Sequence, residues 1–62
     1  MSIGMKLKAL RGSKTQREVA EQVGITKSAL AMYEQDKRVP RDEVKVKLAN
    51  YYGETVQSIF FS

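Results

Sequence analysis

A chain that performs covalent chemistry near neutral pH usually shows it in its histidines, cysteines and paired carboxylates. This one has no histidine and no cysteine. The commonest general base, proton shuttle and zinc ligand are thereby removed, together with thiolates and disulfides. The seven Asp/Glu are scattered, without the density of a cation cage, and no glycine-rich phosphate loop is present. What remains is cationic and amide chemistry: eleven Lys/Arg, for a net charge of +4. On so small a body that balance favours a polyanionic partner or surface, with plain solubility as the other reading. The most unusual stretch is VGITKSALAMYE, residues 23–34. Its helical run turns Lys27, Ser28, Ala31 and Met32 outward, where an unpartnered helix ordinarily carries Glu and Lys. Such a small, lightly charged face is suited to contact rather than to catalysis. No enzyme activity, metal or cofactor is expected.

The elements that must hold this face read as helices throughout. Ile3, Leu7 and Leu10 recur at i, i+4 and i+7 behind Ser2 as N-cap, and Gly12-Ser13 stops that segment. Thr15 with Glu18 reads as a reciprocal capping box, followed by the inner stripe Val19, Ala20, Val23. Thr26 caps the next segment, which turns Ala29, Leu30 and Tyr33 inward. Only Val23, Gly24 and Ile25 connect these two segments. A connection that short with a central glycine makes a sharp turn, because glycine visits positive φ cheaply, and the two helices must cross steeply. After a polar loop, Pro40 precedes a helix running from residue 41 or 42 to 52, with Asp42 and Glu43 in its first turn. Val44, Leu48 and Tyr52 form its face. Val44-Lys45-Val46-Lys47 alternates like a strand but has no partner strand. Gly53 closes that helix, and Thr55 caps a last one from Val56 to Phe60. The expectation is an all-α fold: a single compact domain of five short helices over residues 1–62, with no strand.

The series from Thr15 to Glu34 resembles the Cro/repressor-type (Xre-like) helix-turn-helix family, which includes the lambdoid phage repressors. Gln16, Ala20, Gly24, Leu30, Glu34 and Pro40 stand in register, and the likeness extends over nearly the whole chain. It implies a lambda-repressor-like domain with the helix-turn-helix at its second and third helices. It further implies double-stranded DNA as partner, with the leading end of the third helix in the major groove, where base edges differ in donors, acceptors and methyls. By that resemblance the base contacts are Lys27, Ser28, Ala31 and Met32. Lys27 suits guanine O6 or N7, or else a phosphate, and Met32 suits a thymine methyl, or else is peripheral core. Thr15, Gln16, Arg17, Thr26, Gln35, Lys37 and Arg38 are the implied phosphate contacts, which set register without reading sequence. Arg11 and Glu34 are implied to form a structural ion pair, since a guanidinium holds a carboxylate in two parallel bonds.

Two positions depart from that pattern. The connection Gly12-Ser13-Lys14 is about two residues shorter than in many relatives, and Asp36 stands where relatives usually place glycine. Aspartate tolerates the left-handed conformation, but it carries a carboxylate close to the expected phosphates.

Both phenylalanines lie in the last segment. Neighbours on a helix cannot both face inward, so one of Phe60 and Phe61 is expected to be exposed or paired. Val56, Ile59, Phe60 and Phe61 are the expected interface of a symmetric homodimer, which in such repressors sets two recognition helices about 34 Å apart on DNA. The function this implies is a sequence-specific transcriptional regulator, most simply a repressor that blocks a promoter by occupying a palindromic operator. The second reading is a protein-interaction module, an antitoxin or adaptor on the same fold. No apolar run reaches the roughly 20 residues that span a bilayer, and lysines fall inside the first apolar pattern rather than ahead of it as in a signal peptide. The expected location is the cytoplasm, on the nucleoid when DNA is bound.

Overall fold

Nearly every helix begins where a hydroxyl can close it. The computed structural model describes residues 1–61. In them the chain forms α1 (Ile3–Arg11), α2 (Gln16–Val23), α3 (Lys27–Glu34), α4 (Asp42–Tyr52) and α5 (Val56–Phe60). No strand occurs among the described residues. The side chains of Ser2, Thr15, Thr26 and Thr55 accept from the amides of Met5, Glu18, Ala29 and Ser58 at 3.0–3.1 Å. Each satisfies a donor the helix cannot, worth about 1 kcal/mol. Arg41, ahead of α4, makes no such bond, so there the favourable term is the Asp42 and Glu43 charge in the first turn. The expected capping box at α2 forms by half. Thr15 accepts from Glu18 N, but among the described residues the Glu18 carboxylate returns no bond to Thr15 N and stays in solvent. The alternation at residues 44–47 is helical, with Val44 inward and Val46 outward.

The core takes one fully enclosed side chain from every helix: Leu7, Val19, Leu30, Leu48 and Ile59. Burial of each contributes about 1.5–3 kcal/mol. α1 packs on α3 and α5, α2 on α3 and α4, and α4 on α5. Ala20, 2% exposed, is small where α2 meets its neighbours. Gly24 makes the turn in the left-handed region at φ 85°, and its amide and that of Ile25 both donate to Ala20 O. A side chain there would meet no neighbour, so the need for glycine is one of backbone conformation.

α5 is wedged between α1 and α4, and consequently two successive residues, Ile59 and Phe60, both face protein. Phe61 is the exposed phenylalanine, at 63%. Lys6 Nζ reaches the carbonyls of Ser58 and Ile59 at 3.4 and 3.3 Å, bringing a cation to the carbonyl end of α5. Lys45 lies with its ammonium 5.7 Å from the Phe60 ring centre and 4.7 Å from that of Phe61, a cation–π arrangement on both rings.

Candidate nucleic-acid interface

The site is assembled around one carboxylate. Glu34, at the end of α3, is buried, and its side chain is 3% exposed. Arg11 Nε and Nη2 donate to its two oxygens at 2.8 and 3.1 Å, the two-pronged pair that the guanidinium plane suits. Arg11 Nη1 turns to Lys14 O at 2.7 Å, which ties down the short connection before α2. The third donor to Glu34 is Gln16 Nε2, at 3.0 Å. One side chain of α3 therefore fixes the end of α1, the turn at residues 12–14 and the start of α2. The hydrogen bond and charge of Glu34 raise the Arg11 pKa further above its ordinary value.

Gln16 was expected as a phosphate ligand alone, and its bond to Glu34 is the main revision. A primary amide has two N–H groups, so one remains for another acceptor.

With α2 and α3 held in this way, Lys27, Ser28 and Met32 are exposed on α3 and Ala31 is half-buried, while Leu30, Tyr33 and Glu34 face the interior. A shallow depression on one flank of α3 is lined by Arg11, Thr15, Gln16, Arg17 and Lys27. The amides of Gln16 and Arg17 open α2 at the same place, and such helix starts favour anions. On the other flank, Thr26 and Arg38 line a second depression together with Arg41, Lys47 and Glu43, whose carboxylate lies 3.5 Å from Arg41 Nε. Gln35 and Lys37 are exposed but line neither depression. Arg41 and Lys47 were not singled out from sequence. A cation directly after Pro40 was the one available signal for Arg41, and nothing local marks Lys47.

A helix-turn-helix family model matches residues 7–59, from the middle of α1 into the last turn of α5. The chain belongs to the Cro/repressor-type helix-turn-helix family. Comparison with curated proteins returns no match. Members of this family are DNA-binding regulatory domains, and this chain is a DNA-binding domain of that kind. None of its described helices is long and apolar enough to cross a membrane.

The helix-turn-helix domain resolves its Asp36 departure locally. Asp36 adopts φ 59°, the left-handed conformation that aspartate tolerates. Lys37 N then closes on Met32 O at 2.9 Å and ends α3. The carboxylate turns away from the outer face of α3: Oδ1 accepts from Gly4 N at 2.9 Å, and the Ser2 hydroxyl stands near the same group. These contacts, Ser2 first and Gly4 second, lower the Asp36 pKa below the ordinary carboxylate value. The carboxylate also faces the positive end of α1. Gly4 permits this closeness, since a Cβ there would overlap the Glu34 carbonyl oxygen and lie 2.9 Å from Asp36 Oδ2.

On the far side of α2, Lys14 Nζ bonds Tyr51 Oη at 3.0 Å, which raises the lysine pKa. Tyr52 Oη is buried with no hydrogen-bond partner among the described residues, and burial, with the nearby Glu34 charge, pushes its pKa up to about 12.

Proposed function

We propose that residues 1–62 act as one sequence-specific DNA-binding unit that represses transcription by occupying a palindromic operator as a symmetric dimer. The observation that carries this reading is the arrangement around α3. Its outward face holds one charge, Lys27, while cations outnumber acids on both flanks, Arg17 on one and Arg38, Lys47 and the Glu43-paired Arg41 on the other. A sparsely charged ridge between basic shoulders matches a major groove between its two phosphate backbones. Lys27, Ser28, Ala31 and Met32 contact bases, with Lys27 aimed at guanine. Thr15, Gln16, Arg17 and Thr26 contact phosphates beside α3. Gln35, Lys37 and Arg38 do so from the loop after it. Gln16 serves both partners, one amide hydrogen on Glu34 and the other on a phosphate. The working location is the cytoplasm, on the nucleoid when DNA is bound.

Size supports pairing. The domain measures 26 × 22 × 20 Å, short of the roughly 34 Å between successive major-groove faces, so one protomer reads one half-site. Ile59 and Phe60 are occupied within the protomer core, which leaves exposed Phe61 and half-buried Val56 as the aromatic and aliphatic contacts of the dimer. The same exposed ring favours, as a second reading, a protein partner of an antitoxin or adaptor.

Duplexes selected from a random library, set against unselected duplex in a salt titration, test the proposal. The regulator reading expects log Kd to rise steeply with log salt, by about 0.9 per phosphate neutralised, together with a large specificity ratio. Equal affinity for every sequence rejects it. Sedimentation on the selected duplex should show two protomers per site and, for Phe61→Ser, weaker pairing. One protomer per site for the parent rejects the dimer.

A further inference from the structure

The reading face of α3 is unusual in where its hydrogen-bonding groups stop. Lys27 and Ser28 supply them at the leading end, and Gln35 stands at the far end, outside the helix. Between them the outward positions are Ala31, half-buried, and Met32, 37% exposed, both hydrocarbon or thioether. Leu30, Tyr33 and Glu34 are turned inward, and the Thr26 hydroxyl is engaged with Ala29 N at 3.0 Å. No Arg, Asn or Gln occupies residues 27, 28, 31 or 32. Arg, Lys, Asn and Gln are the side chains that recognise guanine or adenine through two simultaneous hydrogen bonds, and of these the face offers only Lys27, at its leading end.

We infer that this domain reads its half-site chiefly through the C5-methyl groups of pyrimidines, with Ala31 and Met32 as the specificity-determining residues and a polar contact from Lys27 or Ser28 at one end. The inference rests on the regulator reading and specifies its ligand as a thymine-bearing half-site. In the major groove an apolar side chain distinguishes bases by one feature only, the methyl that thymine carries and cytosine lacks. The half-buried Ala31 lets the helix backbone approach that methyl closely, and the flexible thioether of Met32 adapts to its position. Four helix positions, from 27 to 31 or 28 to 32, span about 6 Å at ~1.5 Å per residue. A helix lying in the groove runs obliquely to the duplex axis, so that distance covers about one to two base-pair steps of ~3.4 Å axial rise. A base pair contacted through hydrogen bonds therefore lies about one or two steps from the thymine in each half-site.

The test uses the whole chain and a duplex selected with it from a random library. Each thymine of the selected duplex is replaced singly by deoxyuridine, which removes the methyl and keeps every hydrogen-bonding atom. At one or two positions per half-site the affinity should fall about fourfold, the equivalent of about 0.8 kcal/mol for one buried carbon. At those positions 5-methylcytosine·guanine should bind better than cytosine·guanine by a similar factor. In Met32→Ala, an exposed change, the uridine penalty should shrink at one of them. Uridine tolerated everywhere, with 7-deazapurine substitutions costing tenfold or more at the same sites, would overturn the inference and leave the regulator reading standing. A Met32→Ala protein that keeps the full uridine penalty at every position would remove Met32 from the assignment. A library that yields no enriched sequence sinks the regulator reading, and this inference with it.

Discussion

Glu34→Gln isolates the charge at the centre of the site. The substitution keeps the shape of the side chain and one acceptor, but it replaces the other oxygen with a donor that faces the donors of Arg11 and Gln16. Arg11, whose side chain is 16% exposed, then lacks its counter-charge in a partly desolvated place. Breaking a buried pair from one side costs about 3–5 kcal/mol, and the residual exposure of Arg11 places this case near 3 kcal/mol. A chain of this length holds roughly 3–9 kcal/mol in total at about 0.05–0.15 kcal/mol per residue, so the loss is a large share. At about 4–8 °C per kcal/mol for domains of this size, the melting temperature should drop by roughly 12–24 °C. Thermal melts followed by far-ultraviolet circular dichroism near neutral pH measure this directly. Replacing both charges, Arg11→Met with Glu34→Leu, should recover most of the loss, because no unpaired charge is left behind. A Glu34→Gln protein that melts within about 4 °C of the parent, under about 1 kcal/mol, would refute the reasoning.

Gly4→Ala should destabilise by about 1–3 kcal/mol or more, since the added methyl meets the Glu34 carbonyl, whereas Ala9→Gly on the exposed face of α1 should cost about 1 kcal/mol; equal urea midpoints for Gly4→Ala and the parent would exclude the close approach. Asp36→Asn keeps the turn but loses the charge at α1. Because the folded pKa of Asp36 is depressed, its contribution is present above the ordinary carboxylate range and is lost as pH falls through the folded value; the stability gap between parent and Asp36→Asn should close in acid, and a constant gap would contradict the contact. Tyr52→Phe removes a hydroxyl that has no partner among the described residues, so its stability near neutral pH should equal or exceed that of the parent. The Tyr52 pKa is raised from 10.0 to about 12, and the folded state therefore holds its proton in alkali after the unfolded state has lost it. The parent should thus lose stability from about pH 10 upward more steeply than Tyr52→Phe, and parallel alkaline melts would argue against that burial.

Much of the architecture is legible from short-range rules. Hydroxyls at Ser2, Thr15, Thr26 and Thr55 mark four helix starts because capping is decided within three residues. Gly24 marks the turn because its conformation is intrinsic to glycine. What stayed hidden depends on residues far apart in sequence. Gln16 reads as a free amide until α3 delivers Glu34 to it from 18 positions away. Nothing local marks Gly4, whose need for a missing side chain comes from the Glu34 carbonyl packed against it. Asp36 reads as a charge near DNA, while its partners Ser2 and Gly4 lie at the other end of the domain's sequence. The pairing of Ile59 with Phe60 in the core breaks the one-face rule because a helix of 5 residues held between two others has two inward sides.

The convergence of Arg11 and Gln16 on Glu34 of α3 also constrains how this chain can diverge. A lineage that exchanges Glu34 first strands a guanidinium and an amide, so the three positions form an epistatic set whose members drift together or hardly at all. Lys27, Ser28 and Met32 lie outside that set. On the proposed reading, the preference these side chains confer is free to change quickly over generations while the scaffold that aims them stays put.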